Sequence, residues 1–289
     1  MNDGGAAEDS TAFVDLHTHS TASDGTLPPE EVVAAARAAG LAALALTDHD
    51  TMAGIPAALD AGDLLGVRVV PGVELSAHDG NREIHILALH VTRLGLLESR
   101  LELFREGRRV RASRIVERLR ELGVEITVDT VMEEANGAAV GRPHIARAMI
   151  RGGTARDFRD AFDRYLGAGR PAFVPKERLE IREAISITHE AGGLAIWAHP
   201  GPECRRARLE PLVAMEIDGV EIRHPSHSIE DVNRLTALTE FFGLVPSGGS
   251  DWHGSAEGSR MIGGMQVPAA WLASQDARVA SRVQQVVET

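Results

Sequence analysis

The stretch Phe13-Val14-Asp15-Leu16-His17-Thr18-His19 decides how this chain is read. Its first four residues make a strand candidate, and the polar residues follow as that strand closes. In extended backbone, side chains two apart point to the same side, so His17 and His19 form a pincer. Asp251-Trp252-His253 repeats the arrangement near the other end of the chain. Imidazole and carboxylate together suit zinc, manganese or iron. Cys204 is the only cysteine, so there is no intramolecular disulfide and no thiolate cluster for a structural zinc.

Outward from that stretch, short apolar runs alternate with helical patterns. Strand candidates lie at residues 13–16, 41–46, 67–70, 84–91, 194–197, 219–222 and 244–246. Helical spacing is read at 28–39, 52–65, 181–191 and 229–242, with Pro28 and Pro29 opening the first and Gly40 closing it. Such alternation predicts βαβ units and a mainly parallel sheet, here an α/β barrel of seven strands. Residues 94–170 break the pattern. They carry a long arginine-rich helix at 101–122 and shorter ones at 127–135, 143–150 and 155–166. The expected organisation is a disordered tail at 1–11, a barrel from 12–93 and 171–289, and a helical insertion at 94–170.

Composition limits the function. With 289 residues, 44% hydrophobic and 25% charged, the chain is ordinary for a globular protein. A net charge of −12 argues against coating duplex DNA. The N-terminal ten residues are acidic and glycine-rich, unlike a signal peptide, and no apolar run approaches the roughly 20 residues of a membrane helix. The expectation is a cytoplasmic protein with no membrane partner.

Polar residues follow the apolar runs in six groups: Asp15 to His19 with Asp24 after them, Thr47-Asp48-His49-Asp50, Glu74, His85, His199, and Asp251 to His253. In a parallel α/β barrel the C-terminal strand ends share one face. Residues distant in sequence are therefore expected to meet in one pocket.

The motifs Asp15-Leu16-His17-Thr18-His19-Ser20, Ser23-Asp24-Gly25, Thr47-Asp48-His49-Asp50, Pro71-Gly72-Val73-Glu74, Ala198-His199-Pro200-Gly201 and Ser250-Asp251-Trp252-His253-Gly254 resemble those of the PHP (polymerase and histidinol phosphatase) superfamily of metal-dependent phosphoesterases. The resemblance spans about residues 13–268. It implies a distorted (β/α)7 barrel and three divalent cations: one held by His17, His19, Glu74 and Asp251, a second by Glu74, His85 and His199, a third by Asp24, His49 and His253. It points to manganese, with iron or zinc as alternatives; the carboxylate of Asp24 favours the harder ions. Residues 94–170 resemble the insertion of the nucleotide-phosphatase branch. The implied reaction is in-line hydrolysis of a phosphate monoester by hydroxide, from water that the cations acidify to a pKa of about 7. The expected substrate is a 3′,5′-bisphosphonucleotide losing its 3′-phosphate. AMP, other 5′-nucleotides and short RNA ends are alternatives, and histidinol phosphate is a weaker one.

Substrate contacts are expected from Arg108 and Arg111, three apart on one helical face, and from Arg142 and His144 at a helix start. For the first pair the competing reading is a solvated helix face, shared with Arg105, Arg109 and Arg114 and paired with Glu102, Glu106 and Glu117. His224 and His227 follow a strand and are candidate proton donors to the leaving oxygen. Asp15 and Asp48 either orient imidazoles or cap strand ends. His78 and His90 read as incidental, His189 as structural, Trp197 and Phe173 as core, and Cys204 as an inert surface or loop thiol. Two other classes compete. An amidohydrolase would need a lysine-based bridge or another ligand order, and Lys176 is near no motif. A non-catalytic sensor would not need a complete ligand set.

Overall fold

The computed structural model describes residues 12–135, 140–175 and 178–287. The expected tail at 1–11 and Lys176 lie outside them. The chain divides into two compact units, one running to Glu98 and resuming at Glu180, the other Ser99–Leu179.

The first unit holds the sheet. Its strands are β1 (Phe13–Thr18), β2 (Ala43–Leu46), β3 (Arg68–Asp79), β4 (Arg82–Leu89), the two-residue β5 (Leu179–Glu180, shared with the second unit's end), β6 (Leu194–Trp197), β7 (Gly219–Arg223), β8 (Val245–Gly248) and β9 (Val267–Pro268). They run in the order β8-β7-β6-β4-β3-β2-β1-β9. The sheet nearly closes on itself. Asp251 N–H donates to His17 O at 2.9 Å, and His19 N–H donates to Trp252 O at 2.9 Å. This parallel bridge ties the segment after β8 to β1. Gly249 makes the approach possible: a Cβ there would lie 2.4 Å from the His17 Cβ. The core inside the sheet includes Val14, Leu16, Leu87, Leu89, Ile196 and Val245.

All seven expected strands are present, but the sheet is mixed rather than mainly parallel. β4 is antiparallel to both β3 and β6, and β9 is antiparallel to β1. The cause is local. β3 runs for 12 residues and turns back through Asp79-Gly80, where Gly80 adopts φ +59°. No crossover helix separates β3 from β4, so the pair forms a hairpin.

Helices α1 (Pro29–Ala38), α2 (Ile55–Leu65), α7 (Ile181–Glu190), α8 (Arg206–Val213), α9 (Ile229–Phe242) and α10 (Ala269–Val287) belong to this unit. Pro29 and acidic Glu30 and Glu31 start α1. A reciprocal Ser228–Asp231 capping box starts α9, and Gly243, left-handed at φ +64°, ends it. The patterns read from the sequence missed α8 and α10.

In the second unit, α3 (Leu94–Glu121) enters from the first. It begins seven residues before the expected start at 101. Ala112, Ile115, Val116 and Leu119 recur at helical spacing and are buried with Val131, Ile145 and Met149 of α4 (Val128–Ala135) and α5 (Arg142–Arg151). The expected helix at 155–166 is a short α6 (Phe158–Ala161) running into a π-turn at Phe162–Leu166. Among the described residues no helix is long and apolar enough to cross a membrane.

Candidate metal centre

Strand ends of the first unit bring the expected ligands together. Nε2 of His17 stands 3.1 Å from Glu74 Oε2 and 3.5 Å from Asp251 Oδ1. Nε2 of His19 lies 3.3 Å from the same Glu74 oxygen and 3.4 Å from Asp251 Oδ1. The other Glu74 oxygen meets His85 Nδ1 at 2.6 Å and His199 Nε2 at 2.8 Å. Asp24, His49, His253 and His19 form a further group whose donor atoms lie within 4.8 Å of one another. Glu74 is thus common to two clusters.

The reversed hairpin explains His85, which lies early in its strand rather than after its end. Ser76 pairs with His85 across the β3–β4 ladder. Glu74 and Ser76 share a face, so Glu74 and His85 are diagonal neighbours on it. Running β4 backwards brings its first half to the face where the parallel strands end.

Backbone strain occurs at this place, as it does at His90, Glu216 and Gln266. Asp50, His199 and Asp251 are non-glycine residues in the left-handed region, at φ +50°, +31° and +51°. Each such residue costs on the order of 1–3 kcal/mol. Their N–H groups are anchored: Asp50 on Glu74 O and Asp251 on His17 O, both of candidate ligands, and His199 on the Glu221 carboxylate.

Fit to a cation can be judged from unsatisfied atoms. His19 is fully buried, and neither of its ring nitrogens makes a hydrogen bond. Buried polar atoms without partners are rare, and a ligated cation would satisfy a nitrogen here. The electrostatics agree. Burial alone would lower the His17 pKa, but Glu221 and Glu74 hold it well above the ordinary value. Burial likewise opposes protonation of His85, yet Glu74 and Glu83 lift it to about 10. Burial opposes the ionised form of Asp24, but His253, His49 and His19 bring its pKa down to about 2. The carboxylates demand positive charge. Divalent ions would supply it while leaving the imidazoles neutral, as ligands must be. The donor set therefore fits.

The remaining expected residues divide. His224 is buried, with Nε2 3.3 Å from Asp251 Oδ2 and Nδ1 accepting from the Ser226 N–H. His227 bonds through Nδ1 to Ile222 O at 2.8 Å, and its Nε2 accepts from the Gly201 N–H at 3.1 Å. Both nitrogens of His227 are committed to backbone, so the proton-donor expectation rests on His224. Asp15 accepts from Ser250 and Gly263 N–H groups, and Asp48 accepts from Ser20 and Ser23. Neither orients an imidazole. Asp48 instead secures the loop that presents Asp24. Cys204 is buried rather than superficial, and burial pushes its thiol up to about 12. His189 is structural: it bonds Asp218 Oδ2 at 2.8 Å. His90 bonds Gln275 of α10.

In the second unit, Arg111 donates to Val174 O, and Arg142 donates to Leu166 O while stacking over Phe162 and Phe173. Burial, then the charges of Arg142, Arg108 and Arg178, lower the Arg111 pKa to about 10. The four arginines form a positive cluster. His144 does not join it; its Nδ1 accepts from the Gly141 N–H and closes the start of α5.

Two residues that contact candidate ligands were not legible. Glu221, in the middle of apolar β7, is fully buried against His17 and His199. Arg260 stands 3.1 Å from Asp251 Oδ2. A charged residue inside an apolar strand was the available signal for the first; the second had none.

A mixed, nearly closed barrel with a partly buried histidine–carboxylate cluster at its strand ends defines a metal-dependent phosphoesterase of the PHP type. The chain belongs to the PHP domain family, whose model matches residues 15–168. A 3′,5′-nucleoside bisphosphate phosphatase of Chromobacterium violaceum is 35% identical over 87% of this chain and 91% of that protein. The 5′-3′ exoribonuclease Rnm of Salmonella typhimurium is 36% identical over 86% of this chain and 89% of that protein. A Bifidobacterium adolescentis structure described as a metal-dependent phosphoesterase superposes with a TM-score of 0.70 at 30% identity, covering 92% of this chain and 96% of that one.

Proposed function

We propose that this enzyme removes the 3′-phosphate from 3′,5′-bisphosphonucleotides in the cytoplasm. His17, His19, Glu74 and Asp251 would hold one divalent ion, Glu74, His85 and His199 a second, and Asp24, His49 and His253 a third. Manganese is the preferred ion, with iron or zinc as alternatives. Cations held there would supply charge to neutralise phosphoryl oxygens and would lower the pKa of water to about 7. The chain's own groups do the rest. Buried His17, His19 and Glu74, with the partly exposed ligands around them, fix the geometry in advance. Arg260 offers its guanidinium to a phosphoryl oxygen. His224 holds the proton for the leaving oxygen at Nε2. Arg108, Arg111 and Arg142 grip the phosphate that is not cleaved; His144 supports them by closing the start of α5.

The observation that supports this reading most is the 35% identity with a 3′,5′-nucleoside bisphosphate phosphatase over 91% of that protein's length, with the grouping of Arg111 and Arg142 in the second unit as further support. One comparison favours a second reading: the exoribonuclease relative is as similar as the phosphatase. Release of nucleotides from the 5′ end of short RNA would use the same ions.

A substrate panel on manganese-loaded protein separates them. Bisphosphonucleotide, AMP, histidinol phosphate and an oligoribonucleotide are compared by kcat/KM. The leading reading expects the bisphosphonucleotide to be turned over best. A preference for the oligoribonucleotide selects the second reading, and a preference for histidinol phosphate rejects both.

A further inference from the structure

We propose that Glu221 is a positioning residue that couples two of the candidate metal sites, by fixing the ring of His17 with one oxygen and the backbone of His199 with the other. This rests on the metal reading above. Oε1 lies 3.0 Å from His17 Nδ1, and Oε2 accepts the His199 N–H at 2.6 Å. Glu221 has no exposed surface, and neither has His17.

The chemistry follows from what each group can do. An ionised carboxylate only accepts hydrogen bonds. Once a bound cation leaves the imidazole neutral, His17 must therefore carry its one proton on Nδ1, and Nε2, which faces Glu74 and Asp251 at 3.1 and 3.5 Å, is the nitrogen left to donate a lone pair. Such a hydrogen bond also makes the opposite nitrogen a better donor to a cation. At His199 the constraint acts on the main chain. That residue has φ +31°, an unfavourable conformation for a residue with a side chain. The charge-assisted bond from its N–H opposes relaxation. Held so, His199 turns Nε2 to within 2.8 Å of Glu74 Oε1 and 3.3 Å of His85 Nδ1. One buried side chain thus sets the aim of a ligand in the His17–His19–Glu74–Asp251 cluster and of another in the Glu74–His85–His199 cluster.

Glu221→Gln separates this from a packing role. The amide keeps the volume but has one acceptor oxygen for two donors, so one contact is lost and the other loses its charge. Asp218→Asn is the control. Asp218 is a buried carboxylate near the start of β7 that holds Ala195 N–H, His189 and Arg282 and touches no candidate ligand. Manganese affinity is read on the full chain by competition with a chromogenic chelator, and folding by circular dichroism and the Tm of the metal-free protein. In Glu221→Gln, we expect two classes of ion to weaken together, roughly 10–100-fold at the more affected, in a folded protein. Asp218→Asn should lower the Tm and leave manganese affinity at the wild-type value. Unchanged affinity in Glu221→Gln, weakening of one class alone, or an equal loss in Asp218→Asn overturns the proposal. Should Glu221→Gln not fold, zinc-loaded wild type still decides: long-range 15N–1H spectra must show the His17 proton on Nδ1, and a proton on Nε2 refutes it. A wild-type chain that binds no manganese or zinc would instead remove the metal reading itself.

Discussion

Arg260 and Cys204 show what single side chains do around the centre. The Arg260 guanidinium meets Asp251, a candidate ligand, from the partly open side of the cluster. Arg260→Ala should raise KM for the phosphate ester about tenfold, ~1.4 kcal/mol, with little loss in kcat; steady-state kinetics tests this. An unchanged KM would remove Arg260 from phosphate binding. Cys204 is buried, and its thiol is pushed up to about 12, so thiolate is scarce at neutral pH. Alkylating reagents should label it only after denaturation, as mass spectrometry can show. At this scale much of the site was legible. His17, His19, His49, Glu74, His199, Asp251 and His253 announce themselves by following apolar runs, and the structure gathers them. Glu221 could not be read in that way, because a lone glutamate within a strand has no spacing partner. His227 looked available only because sequence does not reveal that backbone groups occupy both its nitrogens.

Elements set where those side chains point. The β3–β4 reversal was missed because a strand pattern carries no sign of direction; only the short Asp79-Gly80 turn marks it. The barrel closure depends on Gly249. Gly249→Ala places a methyl group 2.4 Å from the His17 Cβ and 2.5 Å from its backbone N. Over-packing of this kind costs about 1–3 kcal/mol. The variant should melt earlier and retain less metal than wild type; equal Tm and metal content would contradict the closure described. Helix α9 offers a pH test. The side-chain hydrogen bond from Arg234, then the Ser228 backbone, hold Asp231 at about 2 against an ordinary 3.8. A depressed acid stabilises the fold above its ordinary pKa, and the contribution disappears as pH falls through its folded value. The Tm difference between wild type and Asp231→Asn should therefore be constant above pH 3.8 and shrink towards about pH 2. A difference independent of pH would assign the capping box no charge role.

Over the whole molecule, chemistry-bearing residues from both ends of the chain reach one cluster, while the arginine cluster belongs to the other unit. The insertion was visible because helical spacing interrupts the strand pattern, but its helix boundaries were not. Glu74 reaches two clusters through its two oxygens. Glu74→Ala should therefore lose two ions where His253→Ala loses one, as elemental analysis of purified protein can count.

The most direct measurement is phosphate release from a 3′,5′-bisphosphonucleotide by one preparation assayed before chelation, after chelation, and after manganese is restored. Turnover should vanish with the chelator and return with the metal, while His17→Ala stays inactive throughout. Undiminished turnover in the chelated, metal-free protein would contradict the account.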